Sequence, residues 1–167
     1  MHEASVILHA SLVRGRALRS PVARPTVPIA ADRAARIATD IFDPPTETIG
    51  WLRANTGGQR LRKLAVVIAC FAEACDIAPD DVIANTRRLP NVSARQGAMW
   101  VLHKAGVSFM RLGRDFGRDH ATAINACRVV DAALGPRVFD DDALIADVAR
   151  EVITAMADRR RGKETER

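Results

Sequence analysis

The stretch Arg95–Asp131, RQGAMWVLHKAGVSFMRLGRDFGRDHATAINACRVVD, decides the fold of this chain. Gly106 stands where a left-handed C-terminal cap would end one helix, and Gly117 ends the next helix after about two turns. Ser108 is placed to cap the second helix, and Asp119 is placed to cap the third. A short helix, a tight turn and a further helix form the unit that presents a recognition helix to the major groove of DNA.

The helix before this unit is predicted to support it. Ser93 followed by Gln96 has the spacing of a capping box, which predicts a helix start at Ser93. The arginine-containing segment Asn85–Asn91 is then a loop, and Met99 and Trp100 are expected in or beside the core. Upstream, an apolar stripe predicts a helix near residues 61–75, and Pro79 begins a short helix that ends near residue 84.

The last helix of the stretch has two chemically different faces when it is wound at about 100° per residue. One face is apolar and is expected to join the core: Ala123, Cys127, Val130 and Leu134, with Ile124 at its edge. The other face carries Ala121, Thr122, Asn125 and Arg128. Carboxamide and guanidinium groups pair with base edges, and small side chains meet thymine methyls. The alternative is an ordinary solvated helix face.

Positive charge is concentrated in the same region. Between Asn85 and Arg128 the chain has eight arginine and lysine residues and two aspartates, an excess of six positive charges, against a net charge of +5 for the whole chain. Phosphate binding requires such a concentration. A basic face without a partner is the weaker explanation, because the charge coincides with the helix-turn-helix.

Three spaced motifs make the stretch recognisable. They are RQ-x-AM at Arg95–Met99, G-x-SF-x-x-LG-x-x-FG at Gly106–Gly117 and RDH-x-T-x-x-x-ACR at Arg118–Arg128. Together they resemble the C-terminal DNA-binding domain, domain IV, of the bacterial replication initiator DnaA, over roughly residues 61–134. The resemblance implies an all-α helical bundle with a helix-turn-helix of the DnaA domain IV or Trp-repressor-like type.

The resemblance also implies a set of DNA-binding residues. An arginine of the basic loop, Arg87 or Arg88, enters the minor groove, and the pair Arg95 and Gln96 contacts the backbone and bases. The run that reads the major groove opens the recognition helix. With the basic positions beside it, the run gives the set Arg118, Asp119, His120, Ala121, Thr122, Asn125 and Arg128. The implied target is the nine-base DnaA box, TTATCCACA.

The chain departs from the family pattern at three places. Ala121 replaces the first threonine of the recognition run, and Asn125 stands where most members have histidine. The junction between Gly117 and Arg118 lacks a second glycine found in many members. These changes bear on which sequence is preferred more than on whether DNA is bound.

The remaining residues predict no enzyme. No phosphate-binding G-x-x-x-x-G-K-[ST] motif is present, no metal-ligand spacing is found, and Cys70, Cys75 and Cys127 are expected as small core residues. With these absences, the resemblance implies a cytoplasmic, nucleoid-associated protein that modulates replication initiation, with double-stranded DNA as partner and without cofactor, nucleotide or membrane. The initiator or its regulators are further candidate partners. The alternatives are a protein-interaction module that binds them, or a transcription regulator with diverged specificity.

The expected organisation has three parts. Residues 1–46 are proline- and arginine-rich and are predicted to be a flexible basic tail, with a short helix near Asp32–Thr39. Residues 47–158 form the helical DNA-binding domain, with the helix-turn-helix at about residues 108–134 and a final amphipathic helix. Residues 159–167 are a charged tail. The apolar stripe of the final helix is expected to pack on the core, a dimer or partner surface being the alternative.

Overall fold

The structure, a computed structural model, describes residues 30–40, 46–54, 58–135 and 137–165. Within these ranges the protein is all-α, as predicted, and strand pairing is limited to one bridge between Thr48 and Leu144. The helices are α1 (Ala30–Thr39), α2 (Ile49–Arg53), α3 (Arg60–Ala74), α4 (Pro79–Ile83), α5 (Leu89–Lys104), α6 (Phe109–Phe116), α7 (His120–Leu134) and α8 (Ile145–Thr165).

Helix α3 lies at the centre of the bundle. The sequence predicted one apolar stripe, but residues 64–68 and 70–72 are all buried, so the helix is enclosed on most sides. Helices α1, α5 and α8 pack around it, and α5 in turn supports α7. Phe71 of α3 and Met99 of α5 are among the largest fully buried side chains. A helix that is apolar nearly all round is expected at such a central position.

The predicted N-terminal boundary falls inside the packed unit. Residues 1–29 lie outside the described part of the chain, but α1 matches the helix predicted near Asp32–Thr39 and packs against α3, α4 and α6. Its inner face consists of Ala31, Ala34, Ala35 and Ala38, all at most 2% exposed. Alanines let two helix backbones approach closely, and their modest hydrophobicity explains why the sequence suggested a tail. The folded part therefore includes α1, which the sequence had assigned to the flexible tail at residues 1–46.

The helix start predicted at Ser93 is wrong. Helix α5 begins one turn earlier, at Leu89, because Pro90 is well tolerated in a first helical turn. Ser93 is buried inside the helix, and its hydroxyl donates to the carbonyl of Leu89 at 2.8 Å. A Ser-x-x-Gln pattern can therefore occur within a helix, where the hydroxyl bonds back to the preceding turn. The basic loop is correspondingly shorter than the predicted Asn85–Asn91.

Backbone hydrogen bonds join the segment before α2 to the segment before α8. The amide of Ile49 donates to the carbonyl of Ala143 at 2.9 Å, and the amide of Ile145 donates to the carbonyl of Glu47 at 3.0 Å. This pairing joins the start of α2 to the start of α8. The apolar stripe of α8 is buried in the protein's own core, as predicted. The helix continues to Thr165, however, so most of the segment predicted as a charged tail at 159–167 is helical.

Candidate nucleic-acid interface

A capping serine and two glycines shape α6 and its junction with α7. The hydroxyl of Ser108 accepts a hydrogen bond from the amide of Arg111, as the sequence predicted. Gly117 ends α6 with φ of 61°, a left-handed conformation that favours glycine. A side chain on Gly113 would place its Cβ 2.7 Å from the carbonyl oxygen of Arg118. The start of α7 can therefore approach α6 closely only because residue 113 is glycine.

Helix α7 presents the two faces that its sequence predicted. Ala123, Cys127, Val130 and Leu134 are buried, and Ile124 is partly exposed at the edge. The opposite side of the helix, called the recognition face below, is exposed. It consists of His120, Ala121, Thr122, Asn125 and Arg128. Asp119 occupies the N-cap position with extended backbone, but its carboxylate forms no capping hydrogen bond. The carboxylate is exposed at the helix start, beside the recognition face.

The basic loop lies between α4 and α5. Arg87 and Arg88 are both exposed there, and neither forms an ion pair with any described residue. The backbone amide of Arg88 donates to the Thr86 hydroxyl at 3.2 Å, which stiffens the loop before α5 begins. Two neighbouring guanidinium groups that pair with no acid in the described ranges can meet phosphate or a groove edge.

Arg95 lies behind this loop and not on its surface. Its side chain is buried, and its guanidinium donates to the carbonyls of Val82, Ala84 and Thr86 at 3.4, 2.5 and 3.1 Å. Burial, together with the nearby Arg118, lowers the pKa of Arg95, but an arginine remains charged near neutral pH. The residue expected to contact DNA is thus placed to hold the basic loop in position.

Arg118 ties the same loop to the helix-turn-helix. Its guanidinium donates to the Asn85 side-chain oxygen at 3.0 Å and to the carbonyls of Ile83 and Ala84 at 3.4 and 3.3 Å. The Ala84 carbonyl therefore accepts from both Arg95 and Arg118. Since Arg118 directly precedes α7, this network fixes the basic loop relative to the recognition helix.

Gln96 is half-buried on α5, next to Arg95. Its side-chain oxygen is enclosed, and no donor reaches it from the residues that the structure describes. The sequence had placed this amide with Arg95 among the DNA contacts. The structure places it at the edge of the supporting helix, less exposed than the side chains of the recognition face.

The positive charge of the region divides into paired and unpaired groups. Arg95 and Arg118 are occupied by carbonyls, Lys104 pairs with Asp131 at 3.1 Å, and Arg111 lies 3.5 Å from the buried Asp115. No ion pair with a described residue is formed by the remaining four, Arg87, Arg88, Arg114 and Arg128. The excess counted from the sequence therefore overstates the number of arginines available to phosphates.

Two supporting contacts were not anticipated from the sequence. Asp115 of α6 is buried and pairs with Arg60 of α3, which anchors the first helix of the motif to the central helix. The indole of Trp100 donates to Asp131 of α7 at 2.8 Å, which ties the recognition helix to α5. Both acids lie within the recognised motif region, but only helix packing brings their partners to them.

The reactive side chains show no catalytic arrangement among the described residues. Burial raises the pKa of Cys70 and Cys127 to about 12 and that of Cys75 to about 11. These thiols are therefore poor nucleophiles. No group of three metal-binding side chains occurs in the described ranges, and none of the helices there is long and apolar enough to cross a membrane.

Comparison with known proteins confirms the resemblance. Residues 64–130 match the family described as bacterial DnaA protein helix-turn-helix. The chromosomal replication initiator protein DnaA of Tropheryma whipplei strain Twist is 37% identical over 93 residues, which is 52% of this chain and 19% of that protein. The initiator of Cutibacterium acnes is 35% identical over 71 residues, which is 41% of this chain and 14% of that protein.

The chain thus spans less than a fifth of the length of these curated relatives. The family match runs from α3 to α7, the elements that carry the basic loop and the recognition helix. Helices α1, α2 and α8 lie outside it.

Proposed function

Because residues 64–130 are a DNA-binding helix-turn-helix domain of the bacterial DnaA type, we propose that the chain binds duplex DNA sequence-specifically at sites like the DnaA box. One observation carries the proposal. The exposed face of α7 lies next to a basic loop whose two arginines have no ion-pair partner among the described residues, and Arg118 fastens the loop to the start of α7. A domain of this type binds and does not catalyse.

The first turns of α7 read the major groove in this proposal. Thr122 and Asn125 offer a hydroxyl and a carboxamide, groups that pair with base edges, and the methyl of Ala121 suits a thymine methyl. His120 and Asp119 stand at the exposed helix start, where an imidazole and a carboxylate reach bases or cytosine amino groups. These residues set the preferred sequence.

The basic loop supplies the second point of contact. Arg87 or Arg88 enters the adjacent minor groove, and the other meets the phosphate backbone, as do Arg114 and Arg128. Arg95 and Arg118 act as positioning residues, since their hydrogen bonds hold the loop carbonyls before DNA arrives. A preorganised loop loses less conformational entropy on binding, which strengthens the complex.

The biological role follows from the site. A protein that occupies DnaA-box-like sequences shares them with the initiator, and it thereby modulates replication initiation at the nucleoid. The initiator or its regulators are then neighbours on the same DNA and are the protein partners that fit this role.

Fluorescence-anisotropy titration tests the proposal, with a duplex containing TTATCCACA and a scrambled duplex at several salt concentrations. Four unpaired arginines predict that log affinity falls with log salt at a slope of about −3.6 or steeper. The box should be preferred by about a thousandfold, as in other specific complexes. The double variant R87Q/R88Q should lose at least about thirtyfold in affinity at 0.15 M salt, from the loss of two charge contacts.

The matched control is R137Q/R150Q. It removes two exposed arginines that pair with Glu151 and Asp147, near the start of α8. T122A should instead reduce the preference for the box by about 1–3 kcal/mol, the usual value of a good base contact. Absence of binding to either duplex at low salt would exclude the proposal, and equal affinity for both would exclude its sequence specificity.

A further inference from the structure

A groove between α7 and α8 lies beyond the site described above. Its cavity measures about 300 Å³, and Val129 and Met156 form part of its floor. The rim carries four cations, Arg128, Arg159, Arg160 and Lys163, and none of the described carboxylates lines the groove. Three of these cations belong to the last turns of α8, outside the segment that matches the DnaA family.

The contacts between the two helices show that they run antiparallel. The Arg159 guanidinium donates to the carbonyl of Val129 at 3.4 Å, while Met156, three residues earlier on α8, lines the groove with Ala132 and Ala133. Since α8 advances toward the N-terminal end of α7, Lys163 lies about 6 Å further in that direction, at 1.5 Å per residue. The end of α8 therefore lies beside Arg128 of the recognition face, with which Arg160 and Lys163 line one groove.

The charge at this end of α8 is available to a ligand. By helical spacing, Arg161 lies on the other side of α8 from Lys163, and it pairs with Asp158 at 2.5 Å. Arg128, Arg160 and Lys163 form no ion pair with any residue in the described ranges. Residues 159, 160 and 163 are spaced to share one helix face. The groove thus has a continuous cationic rim from the recognition helix to the end of α8.

We propose that the last turns of α8 bind the phosphate backbone of DNA beside the groove that α7 enters. This inference rests on the proposed function. Packed helices lie about 8–10 Å apart, and the major groove is about 12 Å wide. A helix beside the recognition helix therefore lies over the strand that borders the groove. Arg128 belongs to both surfaces and makes them one interface.

A duplex is favoured over an acidic peptide as the occupant because the apolar floor offers little surface. Met156 is only 2% exposed, and Val129 is half-buried. A helical peptide would need apolar anchor points that this floor does not supply, whereas phosphates require only the cations.

The test compares the double variant R160Q/K163Q with the control R137Q/R150Q in the full chain, by anisotropy with the box duplex across a salt series. Both variants remove two cations from α8 or the segment before it; Arg160 is half-buried, and Lys163, Arg137 and Arg150 are exposed. R160Q/K163Q should reduce the magnitude of the salt slope by about 1.8, which is about a thirtyfold loss of affinity at 0.15 M salt if the affinity extrapolated to 1 M is unchanged. The preference for the box over the scrambled duplex should not change. The control should keep the wild-type slope, and circular dichroism melting should show both variants folded.

A slope for R160Q/K163Q equal to that of the control overturns the inference, as does a loss of box preference at constant slope. If the slope is unchanged but the variant loses binding to a labelled polyglutamate peptide that the wild type binds, the groove takes an acidic peptide instead. If the wild type binds no duplex, the proposed function itself fails, and this outcome is distinct because it appears before any variant is compared.

Discussion

Replacement of Arg95 by methionine distinguishes a residue that positions the basic loop from one that touches DNA. Methionine is unbranched like the stem of arginine and tolerates burial, but it is shorter and has no donor. The substitution removes the bonds to the carbonyls of Ala84 and Thr86 at 2.5 and 3.1 Å and a weaker bond to Val82 at 3.4 Å. The Ala84 carbonyl then keeps only the longer bond from Arg118, at 3.3 Å. The chain should therefore lose stability as well as DNA affinity.

The magnitude follows from these bonds. A hydrogen bond to a charged group contributes about 1.5–3 kcal/mol, and two of the three have good geometry. Part of the stability lost with these bonds is regained because a buried guanidinium no longer has to be desolvated. We expect R95M to lower the free energy of unfolding by about 3 kcal/mol. The melting temperature of a chain of this size should fall by about 10 °C.

The assay is urea unfolding followed by circular dichroism, combined with anisotropy titration on the box duplex. R95K should be intermediate, since an ammonium group cannot reach the separated carbonyls as a planar guanidinium does. R88Q is the control, because the exposed Arg88 side chain has no ion-pair partner among the described residues. This control should change stability by less than about 0.5 kcal/mol and reduce the magnitude of the salt slope by about 0.9.

The reverse pattern for R95M would refute the reasoning. If its unfolding free energy matches the wild type while the salt slope becomes shallower by about 0.9, Arg95 leaves the loop and contacts the phosphate backbone directly.

Three further predictions concern the packing around the interface. G113A should lower the free energy of unfolding by about 1–3 kcal/mol. Its Cβ would lie 2.7 Å from the backbone oxygen of Arg118, a clash that no side-chain rotation can relieve. A melting temperature equal to that of the wild type would contradict this. A34L should lower the free energy of unfolding by a similar amount, about 1–3 kcal/mol, if α1 packs in the core. An unchanged unfolding midpoint would show that α1 does not pack there. Burial raises the pKa of Asp131, but hydrogen bonds from Trp100 and Lys104 outweigh it and hold the pKa below its ordinary value. The stabilisation is therefore full above the unfolded-state pKa and is lost as the pH falls through the lower folded-state value. Relative to wild type, D131N should be less stable at pH 6, with the difference shrinking below about pH 4; a constant difference down to pH 3 would contradict it.

The helix-turn-helix could be predicted because its signals are local. The Ser108 cap, the left-handed Gly117 and the 3.6-residue period of α7 each depend on residues within about one turn of one another. The exposed face of α7 and its buried back followed from the same period. A local pattern was misleading at Ser93, because two structures share it: the hydroxyl bonds back to the preceding turn instead of capping the helix.

The sequence by itself determined the all-α class, the recognition helix and the position of the basic loop. The tertiary structure alone decided which arginines are available, because a guanidinium is as compatible with three carbonyls as with a phosphate. Arg95 and Arg118 reach carbonyls that lie from 9 to 35 residues away along the chain. The tertiary structure also placed α1 in the core and brought the cations of α8 into one groove with Arg128. Such contacts depend on how helices pack, and no local pattern in the sequence encodes the partner that packing brings to a long charged side chain.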